Sequence, residues 1–100
     1  MSTYTVVFTP EAQQQLLELY RYIAQRGAPL AAQRYTDAIV STCEALASFP
    51  RRGVARNDIR PGLRLTHHKK NTAIAFTVTG RTVTIIGVFY GGQDIPTAFD

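Results

Sequence analysis

The sequence holds a single cysteine, so no internal disulfide can form, and the fold must be held by its core. No apolar run approaches the ~18 residues that a membrane span needs. The N-terminal residues lack the basic-then-apolar pattern of a secretion signal. Together these absences lead us to expect a cytoplasmic protein with no membrane partner. There is no repeat, low-complexity tract or linker. Acids are scarce. Seven Asp and Glu stand against 11 Lys and Arg, giving a net charge of +4 and a pI of about 9.6. That balance favours an acidic partner: nucleic acid, an acidic protein, or both.

Chemical motifs are absent too. The sequence has no glycine-rich phosphate loop, dinucleotide fingerprint or Gly-x-Ser-x-Gly elbow. The candidate metal ligands are Cys43, His67 and His68. Adjacent strand residues point to opposite faces, so the two histidines do not readily share an ion. Cys43 lies on an apolar helix stripe and reads as a core thiol. Glu11 and Glu18 read as part of a solvated helix face. We therefore expect no catalytic set, metal, cofactor or small-molecule substrate.

What the sequence does have is 45% hydrophobic residues in 100, enough for one domain over residues 1–100 with one core. Tyr4, Val6 and Phe8 alternate on a strand. Thr9 can cap a helix that Pro10 begins and Glu11 favours. Ala12, Leu16, Leu19, Tyr20 and Ile23 form its stripe, and Gly27 supplies a left-handed stop. Pro29 opens a second helix with the stripe Ala32, Tyr35, Ile39, Thr42 or Cys43, Leu46 and Phe49. Pro50 ends it. So short a connection makes the two helices an antiparallel hairpin. The period then becomes 2. Leu63, Leu65 and His67 alternate with Arg64, Thr66 and His68; Ile74, Phe76 and Val78 follow. A tight turn surrounds Gly80. Val83 to Tyr90 is apolar nearly throughout, as in a central strand covered on both faces at one end. The tail from Gly91 reads as turn-rich and loose. The expected fold class is α+β, in the order β-α-α-β-β-β. Each step reverses direction, so the helix hairpin would pack on one face of a small antiparallel sheet.

Between the two halves lies a basic stretch. Arg51, Arg52, Arg56, Arg60, Arg64, Lys69 and Lys70 face one acid, Asp58. From charge alone, a solvated loop is the better reading. Arg60, Arg64, His67, His68, Lys69, Lys70, Arg81 and Tyr90 would line one surface if the strands lie as proposed. Metal-free RNA cleavage needs a base, a phosphate-binding cation and an acid, roles that histidine, arginine and tyrosine can fill. His67, however, shares the alternation of two leucines and reads as a hydrogen-bonded, partly buried side chain. Tyr90 is equally well a lid on the core. Leu19, Tyr20, Ile23 and Tyr35 stand near the rim of a groove between helices and sheet.

Several separated segments resemble the ParE branch of the RelE/ParE toxin superfamily, from Tyr4 to Asp94. They are Phe8-Thr9-Pro10-Glu11-Ala12, Tyr22-Ile23-Ala24, Pro29-Leu30-Ala31-Ala32 with Arg34, and Leu46 to Gly53. Arg60-Pro61-Gly62-Leu63-Arg64 and Val83 to Val88 complete the set. The resemblance implies a toxin of a type II toxin–antitoxin system that inhibits DNA gyrase, possessing no nuclease activity of its own. A ParD-like antitoxin would neutralise it. RelE-type relatives instead cleave messenger RNA on the ribosome, and that is the alternative activity. On this resemblance Arg60, Arg64, Lys69, Lys70, Arg81 and Tyr90 would contact gyrase or its DNA complex. Leu19, Tyr20, Ile23, Tyr35 and Arg64 would hold the antitoxin. Arg64 is singled out because a strand would fix its guanidinium for a two-point bond, whereas Arg51, Arg52 and Arg56 would be mobile. The family's histidine and basic pair after the last strand are replaced by Phe89-Tyr90-Gly91-Gly92-Gln93, which implies a weaker toxin.

Overall fold

The Thr9 hydroxyl accepts a hydrogen bond from the Ala12 amide (3.1 Å), which sets the first helix immediately behind the first strand. In a computed structural model, residues 3–91 are described; the tail beyond Gly91, with Asp94, lies outside them. Strand β1 (Thr5–Phe8) leads into α1 (Pro10–Ala24) and α2 (Pro29–Glu44). Gly27 turns between the helices at a φ of 84°, a conformation that costs glycine little. A 3-10 turn (Ala45–Ala47) closes α2. Then come β2 (Val54–Ala55), β3 (Arg64–His68), β4 (Thr72–Thr79) and β5 (Thr82–Tyr90). The α+β class holds, with two helices on one sheet. Phe49 departs from the α2 stripe. The helix ends before it, and its ring is 64% exposed.

The strand order is β1-β5-β4-β3-β2. The pairings β2–β3, β3–β4 and β4–β5 are antiparallel, but β1 runs parallel to β5, so the sheet is mixed rather than antiparallel throughout. The reason is a matter of parity. Counting six elements that reverse in turn sets β1 against β5. The two-residue strand β2, which the alternation pattern cannot show, adds one reversal and brings β5 round to match β1.

Strand β5 is central, as its apolar run indicated. Ala75 pairs with Gly87 and Phe76 with Ile85, so Ile86 is an extra residue, a bulge that shifts the alternation. Val83 and Ile85 before it, and Val88 and Tyr90 after it, all face the helices. There they meet Ala12, Leu19, Ile39, Cys43 and Leu46. Ile86 and Phe89 face the other side, packing with Leu63, Leu65, Ala73, Ala75 and Ile59. Near its end, β5 is therefore covered twice: by helices on one face and by the 56–63 loop on the other. The Phe89 ring lies over Gly87, where any Cβ would stand 2.6 Å from it.

Cys43 is fully buried, and burial, with Glu44 nearby, pushes its thiol up to about 12. It stays protonated, as a core thiol should. No described helix is long and apolar enough to cross a membrane.

Candidate functional site

Beyond Phe8, strand β1 stops, and the edge of β5 continues alone past Ile85. Gln15 of α1 fills the gap, its Oε1 accepting from the Val88 amide at 2.7 Å. Around this contact opens a groove of about 610 Å³ lined by Gln15, Glu18, Leu19, Tyr22, Val88, Tyr90 and Gly91. Leu19 forms its floor rather than its rim, being only 6% exposed. Ile23 is half-buried against the helix-side core. Tyr35 lines a separate cleft with Leu30, Ala31, Arg34, Ala38 and Lys69. Tyr20, half-buried, lines neither. The sequence reading missed Gln15, Glu18 and Tyr22. At 100° per residue they share the flank of α1 opposite Tyr20. Their i, i+3, i+7 spacing was visible, but nothing in it said which flank meets β5.

A row of rings leads inward from this groove. The Arg26 guanidinium sits 4.4 Å from the Tyr22 ring centre, a cation–π contact. Tyr22 and Tyr35 each lie 6.0 Å from Tyr90, and Tyr35 lies edge-on to His68 at 5.5 Å. The hydroxyls of Tyr35 and Thr72 share a 2.7 Å hydrogen bond. Tyr90 is thus a partly buried lid with aromatic neighbours.

The partly buried histidine is His68, not His67. His67 pairs with Ala73 on the loop-covered face but lies past the end of that cluster, and is exposed. His68 faces α2. The Thr42 hydroxyl donates to the Ala38 carbonyl (3.0 Å), so its oxygen accepts from His68 Nδ1 at 2.9 Å. Nε2 is then a bare lone pair, buried and without a partner among the described residues. Protonation would place an N–H there with nothing to receive it. Desolvation first, and the Lys69 charge second, hold this imidazole below the ordinary histidine range. The unfolded chain therefore binds the proton more readily. We expect stability to fall as pH drops from about 7 through 6.5 toward 5, and His68→Asn to flatten that slope. Urea midpoints across this range check it; an unchanged slope in the mutant would exclude His68 as the source.

The basic residues do not converge. Lys69 and Lys70 form the β3–β4 turn, at the same end as Tyr90, since Thr72 pairs with both His68 and Tyr90. Arg81 sits in the β4–β5 turn at the other end of β4, roughly 25 Å away at about 3.3 Å per residue. Arg60 is exposed on the 56–63 loop. Asp58 is paired with Arg56 through two bonds of 2.9 and 3.0 Å. That pairing, its hydrogen bonds foremost, holds the Asp58 carboxyl below the usual range. Arg64 is fixed, as expected, but by neither a carboxylate nor an open surface. Its Nη2 donates to the carbonyls of Arg51 and Gly53 (the latter at 3.3 Å). It braces the backbone of the loop that carries Arg51 and Arg52.

A sheet backed by a two-helix hairpin is a fold that this chain shares with chains of toxin–antitoxin systems of known structure. A chain of the chromosomal ParDE system from P. aeruginosa matches with a TM-score of 0.77 at 21% identity, covering 91% of this chain and 99% of that one. A chain of the RelBE2 toxin–antitoxin complex from Mycobacterium tuberculosis matches with a TM-score of 0.64 at 21% identity, covering 88% and 98%. Toxin ParE3 of Caulobacter vibrioides is 28% identical over 90 residues, spanning 90% of this chain and 89% of that protein. The family profile described as ParE toxin of type II toxin–antitoxin system, parDE, matches residues 6–95. The chain belongs to the ParE family of type II toxin–antitoxin toxins.

Proposed function

We propose that this ParE-family chain arrests growth by inhibiting DNA gyrase in the cytoplasm, as a binding protein rather than an enzyme, and that a ParD-like antitoxin neutralises it. The family match over residues 6–95 carries the reading. The arrangement of possible catalytic groups supports it. His67 and His68 lie on opposite faces, and the Nε2 of His68 is buried. The exposed cations Arg60, Lys69, Lys70 and Arg81, with Tyr90, are the proposed target contacts. Arg64 contributes through the loop it braces. The antitoxin is assigned to the groove between α1 and β5. Its apolar side chains would bury the exposed Tyr22 ring and set residence time. Its acids would meet the basic surface and speed association, an effect that weakens with salt.

The RelE-like structural neighbour keeps a second reading in view: messenger RNA cleavage on the ribosome. Purified chain added to gyrase in a supercoiling assay, beside an assay on translating ribosomes, separates the two. We expect loss of supercoiling with intact transcripts. Codon-positioned cleavage with gyrase unaffected would overturn the gyrase reading.

A further inference from the structure

At the far end of the sheet from Tyr90 is a second concavity, of about 630 Å³, lined by Tyr4, Phe49, Pro50, Arg51 and Arg52. We propose that it is a binding site for single-stranded nucleic acid, with a base stacked on the Phe49 ring and its flanking phosphates held by Arg51 and Arg52. Phe49 is among the most exposed large apolar side chains described, at 64%, and a ring so placed adds little to the core. It is nevertheless well supported. Its amide donates to the Ala45 carbonyl (3.2 Å), and its own carbonyl accepts from the Arg52 amide (3.2 Å). The Tyr4 amide bonds the Ala47 carbonyl (2.9 Å), tying β1 to the same turn.

The charges match a polyanion. No residue lining the concavity is acidic, and neither Arg51 nor Arg52 has an ion-pair partner among the described residues. Arg64 holds the backbone of both flanks through the carbonyls of Arg51 and Gly53. The Arg81 carbonyl accepts from the Thr5 amide (2.8 Å), so a further exposed cation stands one residue along from Tyr4. Exposed aromatic faces interleaved with arginines are what sequence-tolerant single-strand binders present. Rings take bases, and guanidiniums take the phosphates between them. An acidic peptide would use the arginines and leave Phe49 idle, which is why nucleic acid is the better fit. The site lies apart from the α1–β5 groove and is independent of the gyrase reading.

The test is fluorescence anisotropy of a labelled thymidine oligomer, about 12 nucleotides long, with the purified full chain and no gyrase present. Phe49→Ala should weaken binding about 10-fold, with circular dichroism and melting unchanged. Removing both arginines (R51A with R52A) should lower the slope of log K against log salt by about 1.4, at about 0.7 per phosphate contact. Lys69→Ala with Lys70→Ala, at the other end of the sheet, should reduce affinity less than the arginine pair does. Equal binding of an abasic oligomer of the same length would show attraction by charge alone and overturn the stacking site. Equal binding of an oligoglutamate would make the surface one for acidic protein, and overturn it as well. So would wild-type affinity in Phe49→Ala.

Discussion

Ile85→Ala should lower the stability of the fold by about 2–5 kcal/mol, a large part of what a protein of this size has. The side chain is fully buried in the cluster that joins β5 to both helices. Its strand is bonded on both sides, to β1 in parallel and β4 antiparallel. Neither neighbour can move in to fill the space, so the cavity should persist and the loss should fall in the upper half of that range. At about 4–8 °C per kcal/mol, the melting temperature should drop by well over 10 °C. Urea denaturation reads it directly. A lower midpoint with the same slope is expected, and an unchanged midpoint would mean that Ile85 is not in the core.

Arg64→Ala should cost about 1–2 kcal/mol. A hydrogen bond from a charged donor contributes about 1.5–3 kcal/mol when well shielded, and this guanidinium is only partly so. Arg51→Ala and Arg52→Ala, which remove side chains from an exposed turn, should stay within about 0.5 kcal/mol. Arg64→Lys should recover part of the loss, since an ammonium can still donate to these carbonyls but lacks the fixed planar geometry that aims Nη2 at both. The informative comparison is melting temperature beside gyrase inhibition for all these variants. A brace predicts that Arg64→Ala loses potency only as far as it loses stability. If instead it melts like the parent and loses inhibition, Arg64 touches the target directly.

Where side-chain pattern determines structure, the sequence was legible. The Thr9 cap, the Gly27 stop, most of both helix stripes (Phe49 excepted) and the double cover over β5 follow from period and burial. Backbone-made features were not. Strand β2 is two residues long and both are exposed, so it has no alternation to read. It is entered from Gly53, which at a φ of 82° passes so close to the Leu65 carbonyl that a Cβ there would stand 2.1 Å from its oxygen. Missing that strand reversed the expected sense of β1 against β5. The histidines show a related limit. A period of two separates His67 from His68, but both faces of this sheet carry apolar cover, so the pattern does not say which face meets the helices. The spread of the basic residues was not legible for a reason of distance: Lys69 and Lys70 stand at one end of β4 and Arg81 at the other, and charge along a sequence does not carry that separation.

The strand order also sets when this fold can exist. Thr5 pairs with Thr82, across most of the chain, and β5 follows in sequence every element it joins. During synthesis the helix hairpin and the β3–β4 pair emerge first, with their apolar faces lacking the strand that seals them. Isolated helices of this length are marginal in water, and so long-range a pairing closes late. The nascent chain therefore has little to defend it against proteolysis or aggregation until β5 is out. A truncated product lacking β5 would have neither core nor groove, so any ligand of the α1–β5 groove binds a finished chain or none.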